Sequence, residues 1–537
     1  MSSAPAPVFR REGLAWLMLV LLAVAGVTWW WAIGRPVSMP DAPSARIACV
    51  SYAPFRHAGE TPLDPHAFIS PARIDQDLSA LSQRFDCVRT YSQGQGLSAV
   101  PQIAARHGMT VLLGIWLDGD RKLNAEQIKL GIAAAQRYPQ VVRGVIVGNE
   151  VLLRGDQSPA QLIAYLRQVR AAVTVPVTYA DVWEFWLRHP ELADSVDYLT
   201  IHILPYWEDA PVAPERAVQH VANVYAKVQR AFPGRRVMIG ETGWPSAGRP
   251  RQAASASVVN EARYLREFLA YAATVKMPYN VIEAFDQPWK RAQEGTAGGY
   301  WGIFDAHAHP KFPMQGPVVE EARWWAGWLT AAAGGGLFLL VGAWRRRWRG
   351  WRGGVALVLA GVASGSALAW QYRQMLFACR DLWEWAVSLG ACLLALFTAL
   401  RLASWVAARL AGQTMLAPPA RWLRLGWLFG LTYYGLLLVF DGRYRDFPLG
   451  LFFLPCAGFA LLGWLSDTRA VVMPRLEERF LAAWLPLLAL IVLIQEAWLT
   501  PVAWLWLGLN LLLALPVLLG WRLARISLQS QQAQAAK

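Results

Sequence analysis

Two apolar runs end on a carboxylate: Val147-Gly148-Asn149-Glu150 and Met238-Ile239-Gly240-Glu241-Thr242-Gly243-Trp244-Pro245. A strand does not bury an ionised glutamate cheaply, so both carboxylates are expected where strands open onto a polar cleft. Two glutamates at the ends of two parallel strands are the minimum equipment for breaking or remaking a glycosidic bond.

The elements that must position them recur along residues 34–320. Strand-length apolar runs read at Ile47–Tyr52, Cys87–Tyr91, Thr110–Trp116, Gly144–Gly148, Val175–Ala180, Tyr198–Leu204, Arg236–Gly240 and Asn280–Phe285. Amphipathic stretches alternate with them: Ala72–Arg84, Ala125–Tyr138, Pro159–Ala172, Ala213–Phe232 and Ala253–Thr274. Strands alternating with helices imply a parallel sheet, and eight such units in this length predict an α/β fold closed into a (β/α)8 TIM barrel. An open doubly wound sheet is the alternative, and no Gly-rich phosphate loop follows the first strand to support it.

In such barrels, chemistry is carried at the carboxyl ends of the strands. Glu150 follows strand four and Glu241 ends strand seven, so both are expected on one rim. Tyr52, Arg89, Tyr91, Asp118, Asp181, His202, Tyr206, Trp207, Trp244, Asp286, Trp289 and Lys290 fall there too. Aromatic faces for the apolar faces of pyranose rings, with donors and acceptors for their hydroxyls, suit a sugar polymer. Taken singly, each has an ordinary structural explanation; the shared rim singles them out.

The chain has 537 residues, 29 Trp and only 16% charged residues, with a mean hydropathy of +0.26. That apolarity is uneven. A span at Leu14–Ile33 follows Arg10 and Arg11 and ends in Trp29-Trp30-Trp31, which suits an uncleaved anchor with an interfacial belt better than a cleaved leader. Further spans read near 324–344, 353–370, 383–400, 425–440, 449–465, 481–498 and 502–520. Eight spans place both termini on one side. Seventeen basic residues fall on that side, including Arg345, Arg346, Arg347, Arg349, Arg469 and Lys537, against Arg35, Arg373, Arg380, Arg443 and Arg445 on the other. Positive charge stays inside. The expected order is therefore a cytoplasmic N-terminus (1–13), an anchor (14–33), an outward barrel (34–320), a seven-helix all-α transmembrane domain (321–521) and a cytoplasmic tail (522–537). In a Gram-negative cell the barrel would face the periplasm, with the inner membrane as its bilayer.

The net charge of +14 sits beside these spans rather than in any nucleic-acid-binding motif, so no nucleic-acid partner is expected. Asp381, Glu384, Asp441, Asp446 and Glu496 lie near outer span ends, where solvated carboxylates are common; few deep polar residues argue against a channel. Cys379, Cys392 and Cys456 lie in or beside spans. Cys49 and Cys87 lie on two strands; the preferred reading of each is a small buried hydrophobe, with a disulfide the alternative outside the cytoplasm. No metal-ligand spacing appears, and neither metal nor cofactor is required.

Over roughly residues 46–314 the chain resembles glycoside hydrolase family 17, the β-1,3-glucanases and β-1,3-glucanosyltransferases. The resemblance rests on Val88-Arg89-Thr90-Tyr91, Val147-Gly148-Asn149-Glu150, Gly240-Glu241-Thr242-Gly243-Trp244-Pro245, Glu283-Ala284-Phe285-Asp286-Gln287-Pro288-Trp289-Lys290 and Tyr300-Trp301-Gly302-Ile303-Phe304-Asp305. It implies a retaining enzyme with Glu150 as acid/base and Glu241 as nucleophile. It also implies Lys290 and Glu294 near the pair, and Asn149, beside the acid/base, is expected to bond a sugar 2-hydroxyl, where contacts strengthen in the transition state. Many relatives carry Glu where this chain has Gln287. Bacterial relatives with multi-span tails are associated with making or remodelling periplasmic β-glucans, sometimes with β-1,6 linkages. On that basis a β-glucan, the lipid bilayer and a membrane glycosyltransferase are the expected partners. Transfer to a sugar is favoured over transfer to water, because a degradative enzyme has little use for eight spans. Plain hydrolysis, and a catalytically silent glucan-binding module of an export complex, remain the alternatives.

Overall fold

The computed structural model describes residues 6–344, 350–413, 420–466 and 474–535; Arg345, Arg346, Arg347, Arg349, Arg469 and Lys537 of the charge argument lie outside them. The chain divides into two units, Pro36–Val318 and a helical unit made of Met1–Arg35 with Val319–Lys537.

The first unit is built on seven parallel strands: β1 (Val50–Ser51), β2 (Cys87–Arg89), β3 (Thr110–Ile115), β4 (Val142–Asn149), β5 (Val177–Val182), β6 (Leu199–His202) and β7 (Val237–Glu241). They pair in chain order. Alternation sorts their side chains. Val50, Val88, Val111, Val145, Val177, Leu199 and Val237 pack into the large core shared with the helices. Cys49, Cys87, Leu112, Ile146 and Ala180 form a separate buried cluster, with Met238 against it. Strands apolar on both faces read as continuous hydrophobic runs.

The eighth position differs from expectation. Residues 280–285 form no regular strand; Val281 makes a single parallel bridge to Val50, and Tyr279 one to Ile239. Side chains replace the ladder here: Asn280 Nδ2 donates to Ser51 Oγ and to Gly240 O, each at 2.8 Å. Pro278 also removes a backbone donor at the start of the segment. The sheet is thus a seven-stranded curl bridged across its gap, not a regular eight-stranded ring.

Among the helices, Pro159–Ala172 has the predicted bounds, opened by a Ser158/Gln161 capping box. The others start or stop a few residues from expectation, and Val100–Arg106, Trp183–Arg188 and Arg291–Gly298 were not foreseen. Cys49 and Cys87 form a disulfide, Cα to Cα 4.4 Å, which corrects the preference for two buried thiols. The register that pairs Val50 with Val88 puts the two cysteines side by side on one face.

The helical unit contains Ala6–Ile33, Trp325–Trp344, Gly350–Ala378, Leu382–Leu410, Arg421–Phe440, Leu449–Leu465, Leu476–Gln495 and Pro501–Ala535. Six of these are long and apolar enough to cross a membrane; Leu449–Leu465 is apolar but shorter. Gly334 and Gly361 meet backbone to backbone, an approach that only glycine permits. Several of the end carboxylates are engaged rather than free. Asp381 caps the helix from Leu382 to Leu410, Glu384 accepts from Arg380 Nε at 2.9 Å, and Asp441 pairs with Arg445 at 2.7 Å.

Candidate active site

Both carboxylates reach the cleft through local irregularities at strand ends. The register of β4 against β5 shifts between Ile146 and Asn149. Gly148 (φ 86°) and Glu150 (φ 53°) then adopt left-handed backbone conformations. Glycine does so freely; a glutamate held there costs about 1–3 kcal/mol, which the surrounding hydrogen bonds must offset. The register of β6 against β7 likewise shifts between Ile201 and His202, so that His202 pairs with Glu241. Such bulges re-aim side chains at strand ends.

The result is a compact group. His202 Nδ1 lies 2.8 Å from Glu150 Oε1 and 3.8 Å from Glu241 Oε2. One ligand-type atom from each of Glu150, His202 and Glu241 lies within 4.8 Å of the others, so an oxygen of each carboxylate comes within that distance of the other. Glu241 Oε1 accepts from Arg89 Nη1 at 2.8 Å and from the Tyr91 hydroxyl at 2.9 Å. Arg89 also donates to Gly240 O at 2.9 Å and to Asn149 Oδ1. Asn149 therefore keeps its NH2 group as the donor it can offer a ligand. Gly240 leaves the room His202 needs, since an added Cβ would lie 3.0 Å from its ring.

Electrostatics separate the groups. Burial pushes the Glu241 carboxyl up, but the positive charge of His202, Arg89 and Lys290 and the Tyr91 hydrogen bond outweigh it and hold the pKa below the ordinary value. Burial, with the Glu241 charge, pushes Tyr91 up, so it remains a donor. Lys290 Nζ is 2.9 Å from Glu283 Oε2. Burial pushes Glu283 up to about 7 against the pull of Lys290. Glu294 is raised by burial, opposed by Lys290 and reinforced by Glu150 and Glu241. The Glu150–His202–Glu241 trio could present three donors to a metal. Arg89 and Lys290 already place positive charge on Glu241, which opposes a cation there.

The structure thus brings together Glu150, Glu241, Asn149, Arg89, Tyr91, His202, Lys290 and Glu294. It spends four others of the sequence-derived set on the wall behind. Tyr52 is fully buried with its hydroxyl on Asp77 Oδ2 at 3.0 Å. Tyr206 is fully buried, donating to Arg249 O. Trp244 is buried, with Nε1 on Ser255 O at 2.9 Å. Asp286 is buried against Lys311 at 3.0 Å. All four are at most 4% exposed, and the polar tip of each is taken by a protein partner. Trp289 is half-buried, with Nε1 held by Gln287 Oε1 at 2.8 Å. Trp207 is half-buried too and stacks on Tyr206, centroids 5.8 Å apart; of these two adjacent rings expected on the rim, it is the one left part-exposed. Glu283 carried no role in the sequence reading, where it only opens one of the strings on which the family resemblance rests.

Residues 49–302 match the family model of the BtgE/BtgC glycoside hydrolase domain. The chain is 26% identical over 258 residues to a glucan 1,3-beta-glucosidase of Arthroderma benhamiae, covering 45% of this chain and 83% of that protein. It is 23% identical over 272 residues to a Saccharomyces cerevisiae protein of the same name, covering 46% and 85%. Among solved structures it is similar to the glycoside hydrolase family 17 beta-1,3-glucanosyltransferase from Rhizomucor miehei, with 27% identity, 50% of this chain and 97% of that one covered, and a TM-score of 0.44.

Proposed function

We propose, from the similarity of the β/α unit to the BtgE/BtgC glycoside hydrolase domain and to glucan 1,3-beta-glucosidases, a membrane-anchored retaining enzyme that cleaves β-1,3-glucan and passes the glucosyl chain to a sugar acceptor. The observation that carries this reading is the approach of Glu150 and Glu241 around His202. Retention needs carboxyl groups about 5–5.5 Å apart, close enough for one to attack while the other protonates. Glu241, ionised and held by Arg89 and Tyr91, attacks the anomeric carbon and forms a glycosyl ester. Glu150 gives its proton to the departing oxygen. In the second half it takes a proton from the acceptor, whose oxygen displaces Glu241 with a second inversion. The Asn149 NH2 group holds the sugar 2-hydroxyl, where contacts strengthen in the transition state. Trp207 and Trp289 supply ring faces, and Lys290 and Glu294 border the reacting sugar.

The helical unit is the anchor, with the barrel on the outer face. The excess of arginines at the opposite span ends supports that orientation, and the Cys49–Cys87 disulfide suits an oxidising compartment. In a Gram-negative cell this is a periplasmic enzyme of the inner membrane. It acts in glucan synthesis or remodelling beside a membrane glycosyltransferase, with β-1,6 linkages or branches among its products.

Incubation of the detergent-solubilised protein with laminari-oligosaccharides, followed by mass spectrometry, tests the reading. Products longer than the donor are expected. Exclusively shorter products would reduce it to hydrolysis, and binding without any turnover would leave a glucan-binding module.

A further inference from the structure

The short helix Val151–Arg154 begins directly after Glu150, which is its N-cap residue. An N-cap side chain ordinarily accepts an amide of the first turn. Glu150 does not; its carboxylate turns to His202 instead. The amides it neglects are nonetheless satisfied from the neighbouring strand. The Tyr179 hydroxyl accepts from Leu152 N at 3.0 Å, and Asp181 Oδ2 accepts from Leu153 N at 3.4 Å. The two acceptors are tied together, since Tyr179 donates its own proton to Asp181 Oδ2. Asp181 Oδ1 is fixed in turn by Val182 N at 2.7 Å. Both side chains are fully buried, so no water competes for these bonds. Glu150 N, donating to Ala180 O at 2.8 Å, stitches the same turn to the same strand.

We propose that Tyr179 and Asp181 are positioning residues for the proton donor: together they cap the helix that Glu150 opens, releasing the Glu150 carboxylate for proton transfer. This deepens the acid/base reading of Glu150 and rests on it.

The test separates positioning from mere support of the barrel. A laminari-oligosaccharide needs protonation of its leaving oxygen; a 2,4-dinitrophenyl β-laminaribioside does not, and its burst of dinitrophenolate reports formation of the glycosyl ester alone. Tyr179→Phe, Asp181→Asn and Glu150→Gln are compared in the full chain, with melting curves to confirm folding. Turnover of the oligosaccharide is expected to fall roughly 10-fold to 100-fold in Tyr179→Phe and Asp181→Asn, below the loss in Glu150→Gln, while the burst rate changes less than about 3-fold. Folded variants that lose nothing, or lose equally on both substrates, would overturn the inference. If Glu150→Gln itself shows no dependence on leaving group, the acid/base reading falls first; if it does and the other two do not, only the cap falls. Should Asp181→Asn not fold, Tyr179→Phe alone decides.

Discussion

His202 Nδ1 lies 2.8 Å from Glu150 Oε1, and the ring behind it is buried to 1% exposure. The imidazole is therefore a fixed post between two acids rather than a mobile base. Removing it should act on both. His202→Ala is expected to lower kcat/KM roughly 10-fold to 100-fold, the scale of a lost charge-assisted hydrogen bond. It should also move the acidic limb of the pH–rate profile. Glu241 must be ionised to attack, and apart from burial the His202 charge is the strongest influence on its pKa. Without that charge the pKa rises, so the limb shifts to higher pH. An unmoved limb would sink this account of Glu241.

Substitution of Glu241, the proposed nucleophile, should be chemically diagnostic. Glu241→Ala is expected to lose at least about 10⁴-fold in turnover while still binding laminari-oligosaccharides. Azide can enter the vacated space and attack the anomeric carbon once. The product expected from a dinitrophenyl glycoside is an α-glycosyl azide, identified by nuclear magnetic resonance. A β-azide would show that another group serves as nucleophile.

The Cys49–Cys87 bond closes a loop with a sequence separation of 38. Loop entropy of that size corresponds to about 4 kcal/mol at most. The Cys49→Ala, Cys87→Ala double variant should therefore unfold at clearly lower denaturant than the wild type. Coincident denaturation curves would show that the bond contributes nothing to the folded barrel.

Stability should also decline between pH 5 and pH 8. Burial raises Glu283 to about 7, and Asp181 and Asp286 to about 6. A carboxyl raised on folding binds its proton more tightly in the native state, so its contribution is full below the unfolded value and lost as pH rises through 6–7. Glu241 has the opposite sign, but its lowered pKa confines its effect to pH below the ordinary carboxylate range. His57, lowered by burial, opposes the trend from a more exposed position. The sum is on the order of a few kcal/mol. A denaturation midpoint that is flat or rising across this interval would contradict it.

The sequence made the two carboxylates visible because an apolar strand has few reasons to end on glutamate twice. It could not show which aromatic rings face the cleft. Tyr206 and Trp207 are adjacent and both suit a sugar, yet the first is fully buried and the second only half-buried. Periodicity likewise located the eighth strand position but not its irregularity, because the bonds that replace it come from the Asn280 side chain. Cysteine pairing was hidden for a related reason. It depends on the β1–β2 register, which is set by contacts far apart in sequence. Gln287 is fully buried and braces Trp289, accepting from its Nε1 at 2.8 Å.

The catalytic unit is an insertion: the chain leaves the helical unit after Arg35 and rejoins it at Val319. A domain joined by two covalent leads cannot be shed by one proteolytic nick. Loss of either lead alone would loosen the enzyme without setting it adrift.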